Sequence, residues 1–430
     1  MKFALVSYGV PPSESGGATM IYRLLRDLSP EEYCLLSQSY SGADGDSPPV
    51  PGTLPGRYYR LGPDFRITRT MPWWRRRSGD ALNLLSGLVL RAAQIARIAR
   101  RERCRAIVGC TGGDVLNLPM AYVASRLLRI PFYAFILDDY ANHIPKLRAL
   151  ARRLEPHILK GAAGIITLNE FMQGALRERY GVESVLVRNP CDLTQYAETH
   201  AGAHAGAHAG AHAGAHLRHV APTHRPDGGI EVVFTGAVYD AHYDAFRNLI
   251  AAIRRIGRDD LKLHLYTNQA PAELAHHGIS GPVVVHGQQP LDAMPRIQQE
   301  ADILFLPLAF SSPYPEVIRT SAPTKLGEYL AARRPILVHA PADSFLAWYF
   351  RRHQCGLVVD ESDPVMLAAA IERAMSDPAL THTLAANAWE RARADFDIGV
   401  SQARFAALLQ VERPTAPVSR SPAEELGAAT

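Results

Sequence analysis

A lysine and a glutamate that lie three residues apart could together bind a nucleotide. Their segment begins at Pro323-Thr324 and continues through Lys325 and Glu328. It follows an apolar run, Ala301–Leu308, which predicts a buried parallel strand and places the segment at that strand's carboxyl end. A helix beginning there directs free backbone N–H groups at a phosphate. A carboxylate such as that of Glu328 accepts hydrogen bonds from two vicinal hydroxyls, such as those of a ribose.

An ordinary amphipathic helix is the alternative interpretation of this segment. In that interpretation Leu326, Tyr329 and Leu330 belong to the core, whereas Lys325 and Glu328 form a solvated face. The helical periodicity alone is consistent with both.

Acidic residues follow a second apolar run, FYAFIL, that predicts a central buried strand. Asp138 and Asp139 come directly after it, and His143 follows closely. Acidic side chains are seldom part of a core. One of these aspartates could act as a base for a hydroxyl group, and the alternative is that it caps the next helix.

Glycines mark two further strand-to-helix turns. Gly16 and Gly17 open a periodic helix after the first strand, and Gly236 follows the strand IEVVFT. Such turns permit close approach of a phosphate. Neither turn has the Walker A or GxGxxG spacing, which argues against a nicotinamide-dependent dehydrogenase.

Strands and helices alternate along the chain, which predicts an α/β protein with two doubly wound, Rossmann-like domains facing a central cleft. We place the first domain at residues 1–192 and the second at 229–394. A linker at 193–228 separates them, and a Pro/Ser/Ala-rich tail at 413–430 is predicted to be disordered. The segment from Tyr40 to Arg69 is predicted to be a long irregular loop.

Positive charge is concentrated in one part of the chain. The formal net charge is only +4, yet residues 51–105 contain thirteen Arg and no Lys against three acidic residues. Aromatic and basic side chains ahead of an amphipathic helix predict contact with an anionic membrane surface rather than nucleic acid. The alternative is a general preference for Arg over Lys throughout the chain. The predicted contact residues are Trp73, Trp74, Arg75, Arg76 and Arg77.

The cysteines and the N-terminal residues favour a cytoplasmic protein. The predicted membrane contact would then be peripheral and on the inner face of the membrane. The five cysteines are scattered without a CxxC pair, so neither a disulfide framework nor a zinc site is predicted. The first residues resemble a strand rather than a signal peptide, and no apolar run is long enough for a spanning helix.

The pattern P-x-K-L-x-E-Y-L-A-x-x-x-P-I-L, which begins at Pro323, resembles the nucleotide-binding segment of GT-B glycosyltransferases, especially family 4. The similarity covers nearly the whole chain in order and is most specific at 323–335. It implies a GT-B fold, a helix at 395–412 that crosses back to the first domain, and transfer of a sugar from a nucleotide diphosphate donor. The implied acceptor is a polysaccharide, glycolipid or lipid-linked glycan, and no metal or other cofactor is expected. The implied donor-binding residues are Gly16, Gly17, Gly236, Tyr239, Thr324, Lys325, Leu326 and Glu328.

The chain departs from the family pattern at two places. Thr320 stands where many members have an earlier glutamate, and Glu316 is the predicted substitute. Ala237 and Tyr239 follow the strand after which members often have an Arg and a Lys for the diphosphate. Two rival functions therefore stay open: another GT-B activity such as an epimerase or phosphorylase, and a non-catalytic scaffold at a membrane. The predicted catalytic candidates are Asp138, Asp139, His143 and Glu316.

The predicted linker contains a perfect repeat in which five histidines are each separated by Ala-Gly-Ala. Spacing of four would align the histidines on one helical face, and such tracts can bind metals. The recurring glycine costs about 1 kcal/mol each in a helix, which favours a flexible linker. The histidines are His200, His204, His208, His212 and His216.

We expect deletion of 201–216 to leave transferase turnover unchanged, because insertions at domain boundaries cost little. Steady-state rates of the full-length and shortened proteins, with and without added Zn²⁺ or Ni²⁺, test this expectation. A large loss of turnover that depends on these metals would contradict the linker interpretation.

Overall fold

The computed structural model describes residues 1–13, 15–39, 52–62, 76–112, 115–143, 147–197 and 229–410. The histidine repeat, residues 73–75 and the 413–430 tail lie outside these ranges, as do the side chains of residues 76–82 and of His143. The predictions made for them therefore stay predictions.

A seven-stranded sheet forms the first half of the chain, and all of its strand pairs are parallel. The order is β3-β2-β1-β4-β5-β6-β7. The strands are β1 (Phe3–Val6), β2 (Tyr33–Ser37), β3 (Arg57–Arg60), β4 (Ala106–Cys110), β5 (Phe132–Ile136), β6 (Gly164–Thr167) and β7 (Val185–Leu186).

Six helices connect these strands. Ser15 caps the first helix by accepting a hydrogen bond from the Ala18 amide, and Asn169 caps the sixth through the Met172 amide. The helices are α1 (Gly16–Leu25), α2 (Arg76–Arg101), α3 (Asn117–Leu128), α4 (Tyr140–His143), α5 (Arg148–Lys160) and α6 (Glu170–Tyr180).

A six-stranded parallel sheet forms the second half, in the order β10-β9-β8-β11-β12-β13. Its strands are β8 (Ile230–Thr235), β9 (Leu261–Tyr266), β10 (Val283–His286), β11 (Ile303–Pro307), β12 (Ile336–His339) and β13 (Leu357–Val359).

Nine helices accompany this sheet in the described part of the second half. They are α7 (Tyr243–Ile256), α8 (Pro271–His276), α9 (Met294–Glu300), α10 (Pro315–Thr320), α11 (Lys325–Ala331), α12 (Phe345–His353), α13 (Pro364–Ser376), α14 (Pro378–Arg391) and α15 (Ile398–Leu409).

Both sheets follow the doubly wound order in which the first and fourth strands are neighbours. The prediction of two doubly wound α/β domains is confirmed. The helix α15 packs against α1 and β7 of the first domain, and the Cys191 amide donates to the carbonyl of Phe396.

Two local predictions differ from the structure. The loop predicted between Tyr40 and Arg69 contains the short edge strand β3, whose sequence Arg-Tyr-Tyr-Arg gave no apolar signal. The helix predicted from Glu155 begins at Arg148 instead, and the internal Pro156 is tolerated within it. Within the described residues, no helix is both long and apolar enough to cross a bilayer.

Candidate functional site

The cleft encloses about 860 Å³ and is lined by residues of both halves of the chain. Its lining comes mainly from the loops at the carboxyl ends of β1, β4, β5, β8 and β11 and from the first turns of α1 and α11. The strand order reverses at β1/β4 and at β8/β11, which is where doubly wound sheets bind ligands.

Lys325 lines this cleft at the start of α11. Its Nζ lies 3.7 Å from the centroid of the Phe234 ring, and a Cβ on Gly236 would come within 3.2 Å of the same nitrogen. Burial lowers the pKa of Lys325 to about 7, against a smaller opposing effect of the Glu328 carboxylate. No carboxylate of the described residues forms an ion pair with it. The cation is therefore available to an anionic ligand.

His242 is the buried neighbour of Lys325. Burial first, and the Lys325 charge second, keep the pKa of His242 well below its usual value, so the ring is neutral. Its Nδ1 has no hydrogen-bond partner among the described groups, although the residue is only 4% exposed and lines the cleft. A neutral imidazole offers a ligand one donor and one acceptor.

Glu328 also lines the cleft, one turn further along α11. Its Oε1 accepts a 2.7 Å hydrogen bond from Nη2 of Arg23 in α1, and its Oε2 accepts a 3.1 Å bond from Nε2 of Gln298 in α9. Since an ionised carboxylate has about four lone-pair sites, two remain for a ligand. Neither Lys325 nor Glu328 lies on a solvated face, whereas Leu326, Tyr329 and Leu330 are buried as expected.

The backbone amides of Leu326 and Gly236 are both hydrogen-bonded within the protein. The Leu326 amide donates to the carbonyl of Pro323, and its side chain is fully buried away from the cleft. The Gly236 amide donates to the carbonyl of Tyr266. Neither N–H is free for a phosphate. The φ of Gly236 is +114°, which favours glycine. Because Gly236 has no side chain, the Lys325 ammonium can approach its backbone closely.

Gly16 and Gly17 let the two halves meet at the cleft. A Cβ on Gly16 would stand 2.6 Å from the Thr324 hydroxyl, and one on Gly17 would stand 3.3 Å from Leu137. Gly16, Gly17 and Thr324 all line the cleft, where the sequence analysis expected them.

Asp138 faces this cleft from the end of β5. The Thr111 hydroxyl accepts hydrogen bonds from the amides of Leu137 and Asp138, which fixes the turn between strand and helix. The Asp138 carboxylate lies beside Gly112, whose hypothetical Cβ would be 3.5 Å from Oδ2. Asp138 thus lines the cleft directly after β5.

Asp139 has a different environment. It is 4% exposed, and its carboxylate accepts hydrogen bonds of 2.9 and 3.2 Å from Arg179 and one of 3.1 Å from Asn142. An aspartate that is bound in this way stabilises the start of α4. Both aspartates line the cleft, and the Asp139 carboxylate is held there by Arg179 and Asn142.

Glu316 is a correction to the sequence prediction. Its exposed side chain lines a side pocket of about 420 Å³ beside Arg319 and Arg179, not the main cleft. Thr320, at the position where the resemblance expects a glutamate, lines both spaces and is buried. Its hydroxyl donates to the carbonyl of Glu316. Glu316 is thus held one helical turn away and does not replace the missing glutamate.

Tyr239 borders the cleft with a side chain that is 49% exposed, and its ring lies 4.4 Å from that of His242. A tyrosine phenol has an unperturbed pKa of about 10. The tyrosine therefore stays a hydrogen-bond donor at neutral pH.

Sequence reasoning missed the polar groups that join the two halves. The Asn169 side chain donates to the Thr320 carbonyl, and that of Asn189 donates to the Ala322 carbonyl. Arg23 gave no signal either, because one arginine on an amphipathic helix is typical of a solvated face. In the part of the chain with described side chains, no group of three His, Cys, Asp or Glu is arranged to hold a metal ion.

The second half of the chain, which forms one side of this cleft, is similar to a known protein family. Residues 229–377 match the model of the family described as glycosyl transferases group 1. That range contains all six strands of the second sheet and the Lys325–Glu328 segment. No curated protein sequence matches the chain significantly.

Solved structures with similar folds cover nearly the whole chain. Sucrose-phosphate synthase from Thermosynechococcus elongatus aligns with a TM-score of 0.66 at 17% identity, over 95% of this chain and 98% of its own. Anabaena Alr3699/HepE in complex with UDP-glucose aligns at 0.63 and 16%, over 95% and 99%. The trehalose-6-phosphate synthase OtsA aligns at 0.64 and 14%, over 96% and 100%.

These findings confirm the predicted resemblance, the predicted fold and the prediction of a transferase. The chain has the two-domain GT-B fold, and residues 229–377 within its second half match the model of the glycosyl transferases group 1 family.

Proposed function

We propose that the protein transfers a hexosyl group from a nucleoside diphosphate sugar to a hydroxyl of a glycan, glycolipid or lipid-linked acceptor. One observation carries this proposal: a partly buried Lys325, which pairs with no described carboxylate, and Glu328 line one side of a cleft, and Asp138 lines it from the other domain. Such a cleft offers a cation to a diphosphate, an acceptor to a ribose diol and a base to a hydroxyl.

The donor's diphosphate lies against Lys325 in this proposal. Lys325 is the one Lys or Arg among the described residues that line the cleft. His242, neutral and with an unpaired Nδ1, supplies a hydrogen bond beside it. As the bond to the sugar breaks, negative charge grows on the departing diphosphate, and a poorly hydrated cation stabilises that charge more strongly than an exposed one.

The acceptor hydroxyl approaches from the first domain. Asp138 is the carboxylate placed to take its proton if the reaction inverts the anomeric carbon. The amides of Leu137 and Asp138 are fixed by Thr111, so the carboxylate's backbone is rigid before substrate arrives.

Donor binding separates this proposal from a non-catalytic scaffold. We expect one member of a panel of nucleoside diphosphate sugars to bind at micromolar concentration in calorimetry, and Glu328→Gln to weaken that binding by about tenfold or more. Glutamine has the same shape, but its amide nitrogen cannot accept from a ribose hydroxyl, and each hydrogen bond to a charged group contributes about 1.5–3 kcal/mol.

Glu372→Gln is the matched control for this panel, because Glu372 is exposed on α13 and remote from the cleft. A folded protein that binds no donor would contradict the proposal and favour the scaffold. Turnover of the donor without any acceptor would favour an epimerase or a related GT-B activity.

The low pKa of Lys325 predicts pH-dependent donor binding. Below about pH 7 the ammonium is already charged in the free protein. Above that pH, binding of the diphosphate must restore the proton, which costs about 1.4 kcal/mol per unit. We therefore expect donor affinity to fall as the pH rises from 6.0 to 8.5, by up to about tenfold per unit above pH 7.

Calorimetry with the intact nucleotide sugar measures this effect, because its diphosphate diester does not titrate in that range. Lys325→Met should bind more weakly and with no such pH dependence. Lys262→Met, at an exposed position on β9, should retain the wild-type profile. A flat profile in the wild-type protein would contradict the role given to Lys325.

Contact with an anionic membrane is the other part of the proposal. Leu85, Val89 and Leu90 are 59%, 55% and 50% exposed on α2, within the part of the chain that contains the Arg excess. Exposed apolar residues on an amphipathic helix, together with clustered arginines, fit the boundary between anionic headgroups and acyl chains. Such contact would suit a lipid-linked acceptor.

We expect the full-length protein to float with vesicles containing anionic lipid, and not with neutral ones, in a manner weakened by salt. Val89→Asp and the triple change Arg75→Glu, Arg76→Glu and Arg77→Glu should each abolish flotation. Val365→Asp, at a 45% exposed position on α13, is the matched control and should have no effect. Flotation that none of these changes affects would contradict the proposal.

A further inference from the structure

Arg23 belongs to the first domain, yet its side chain reaches a cleft residue of the second domain. Its Nη2 donates a 2.7 Å hydrogen bond to Oε1 of Glu328, and its Nη1 donates a 2.9 Å bond to the carbonyl of Pro190. Both side chains of the ion pair are 13% exposed. Arg23 itself does not line the cleft.

The other side of Glu328 is fixed from within the second domain. Gln298, which is fully buried, donates 3.1 Å from Nε2 to Oε2 of Glu328. The Oε1 of Gln298 accepts from the hydroxyl of Tyr196, so the orientation of the amide is set by its neighbours. Each carboxylate oxygen of Glu328 is thus held by one donor, and each retains one lone pair for a ligand.

We propose that Arg23 is a positioning residue for donor recognition: it holds Glu328 so that both carboxylate oxygens accept from the vicinal hydroxyls of the donor's ribose. This inference rests on the proposed function and adds a residue outside the cleft to it. Because Arg23 and Glu328 belong to different domains, the diol site is complete only when the domains lie together as they do here.

The backbone of Arg23 makes this arrangement depend on the C-terminal helix as well. The Arg23 carbonyl accepts a 2.9 Å hydrogen bond from Nε2 of Gln402 in α15, and the same nitrogen donates to Asp27. The helix that crosses back to the first domain therefore supports the residue that fixes Glu328. Donor recognition by the second domain is physically connected to domain packing through one guanidinium.

The test compares two ligands that differ only at the ribose. The dissociation constants of the nucleoside diphosphate sugar found in the panel and of its 2′,3′-dideoxy analogue are measured by calorimetry for the wild-type protein and for Arg23→Gln. We expect Arg23→Gln to weaken the ribose-bearing ligand by about tenfold or more. The dideoxy ligand, which cannot contact Glu328 through hydroxyls, should be weakened less than threefold.

Two further variants keep the result interpretable. Arg23→Lys retains a cation near Glu328 and should recover part of the affinity for the ribose-bearing ligand. Arg26→Gln changes the arginine that follows the last residue of α1, which pairs with Asp192 at 2.7 Å instead, and should leave both ligands unaffected. If Arg23→Gln does not fold, the same comparison with Arg23→Lys decides the matter, with a ribose-specific loss of smaller size.

Three results would overturn the inference while leaving the proposed function intact. Equal weakening of both ligands would make Arg23 a structural residue only. Unchanged affinities would remove it from the site. Tighter binding of the ribose-bearing ligand to Arg23→Gln would mean that the ion pair occupies the diol site. By contrast, a wild-type protein that binds neither ligand would overturn the proposed function itself, and this inference with it.

Discussion

The parallel direction of every strand pair is the constraint on which this structure depends. In a parallel sheet all carboxyl ends lie on one edge, and each must be followed by a loop that leads into a crossover connection. Two such edges face each other here, so the loops after β1, β4, β5, β8 and β11 converge on one cleft. The polar groups that the cleft needs can therefore come from distant parts of the chain without any strand leaving its sheet.

The two charged side chains of α11 that line the cleft, Lys325 and Glu328, have different partners. Lys325 and Glu328 lie three residues apart on α11, a spacing at which opposite charges attract on a helix surface. Had they paired, neither would be free for a ligand. Arg23 and Gln298 instead hold the carboxylate, while Lys325 lies over the Phe234 ring and against Gly236. The Glu328 carboxylate is thus paired across the two domains with Arg23 and not with Lys325.

The sequence was sufficient for the fold and for the part of the site that is local. Apolar runs predicted the strands, and the Pro323–Leu330 segment identified Lys325 and Glu328 because both lie on one short helix. It was not sufficient for Arg23, which is 305 residues from Glu328 along the chain. The sequence also could not show that Arg179 on α6 binds the Asp139 carboxylate. Nor could it show that the amides of Leu326 and Gly236 are already hydrogen-bonded. Long-range hydrogen bonds decide these points, and no periodicity encodes them.

Among the described residues that line the cleft, Lys325 is the one Lys or Arg. The loop after β8 has Ala237 and Tyr239 where the resemblance expects basic residues, and a single ammonium from α11 fills the space beside Gly236. A diphosphate carries more charge than one lysine neutralises. Burial offsets part of this deficit, because a charge pair at a given distance interacts several times more strongly in a poorly hydrated site than in water. The same burial that makes the free ammonium costly, and lowers the pKa of Lys325 to about 7, makes it effective once an anion enters.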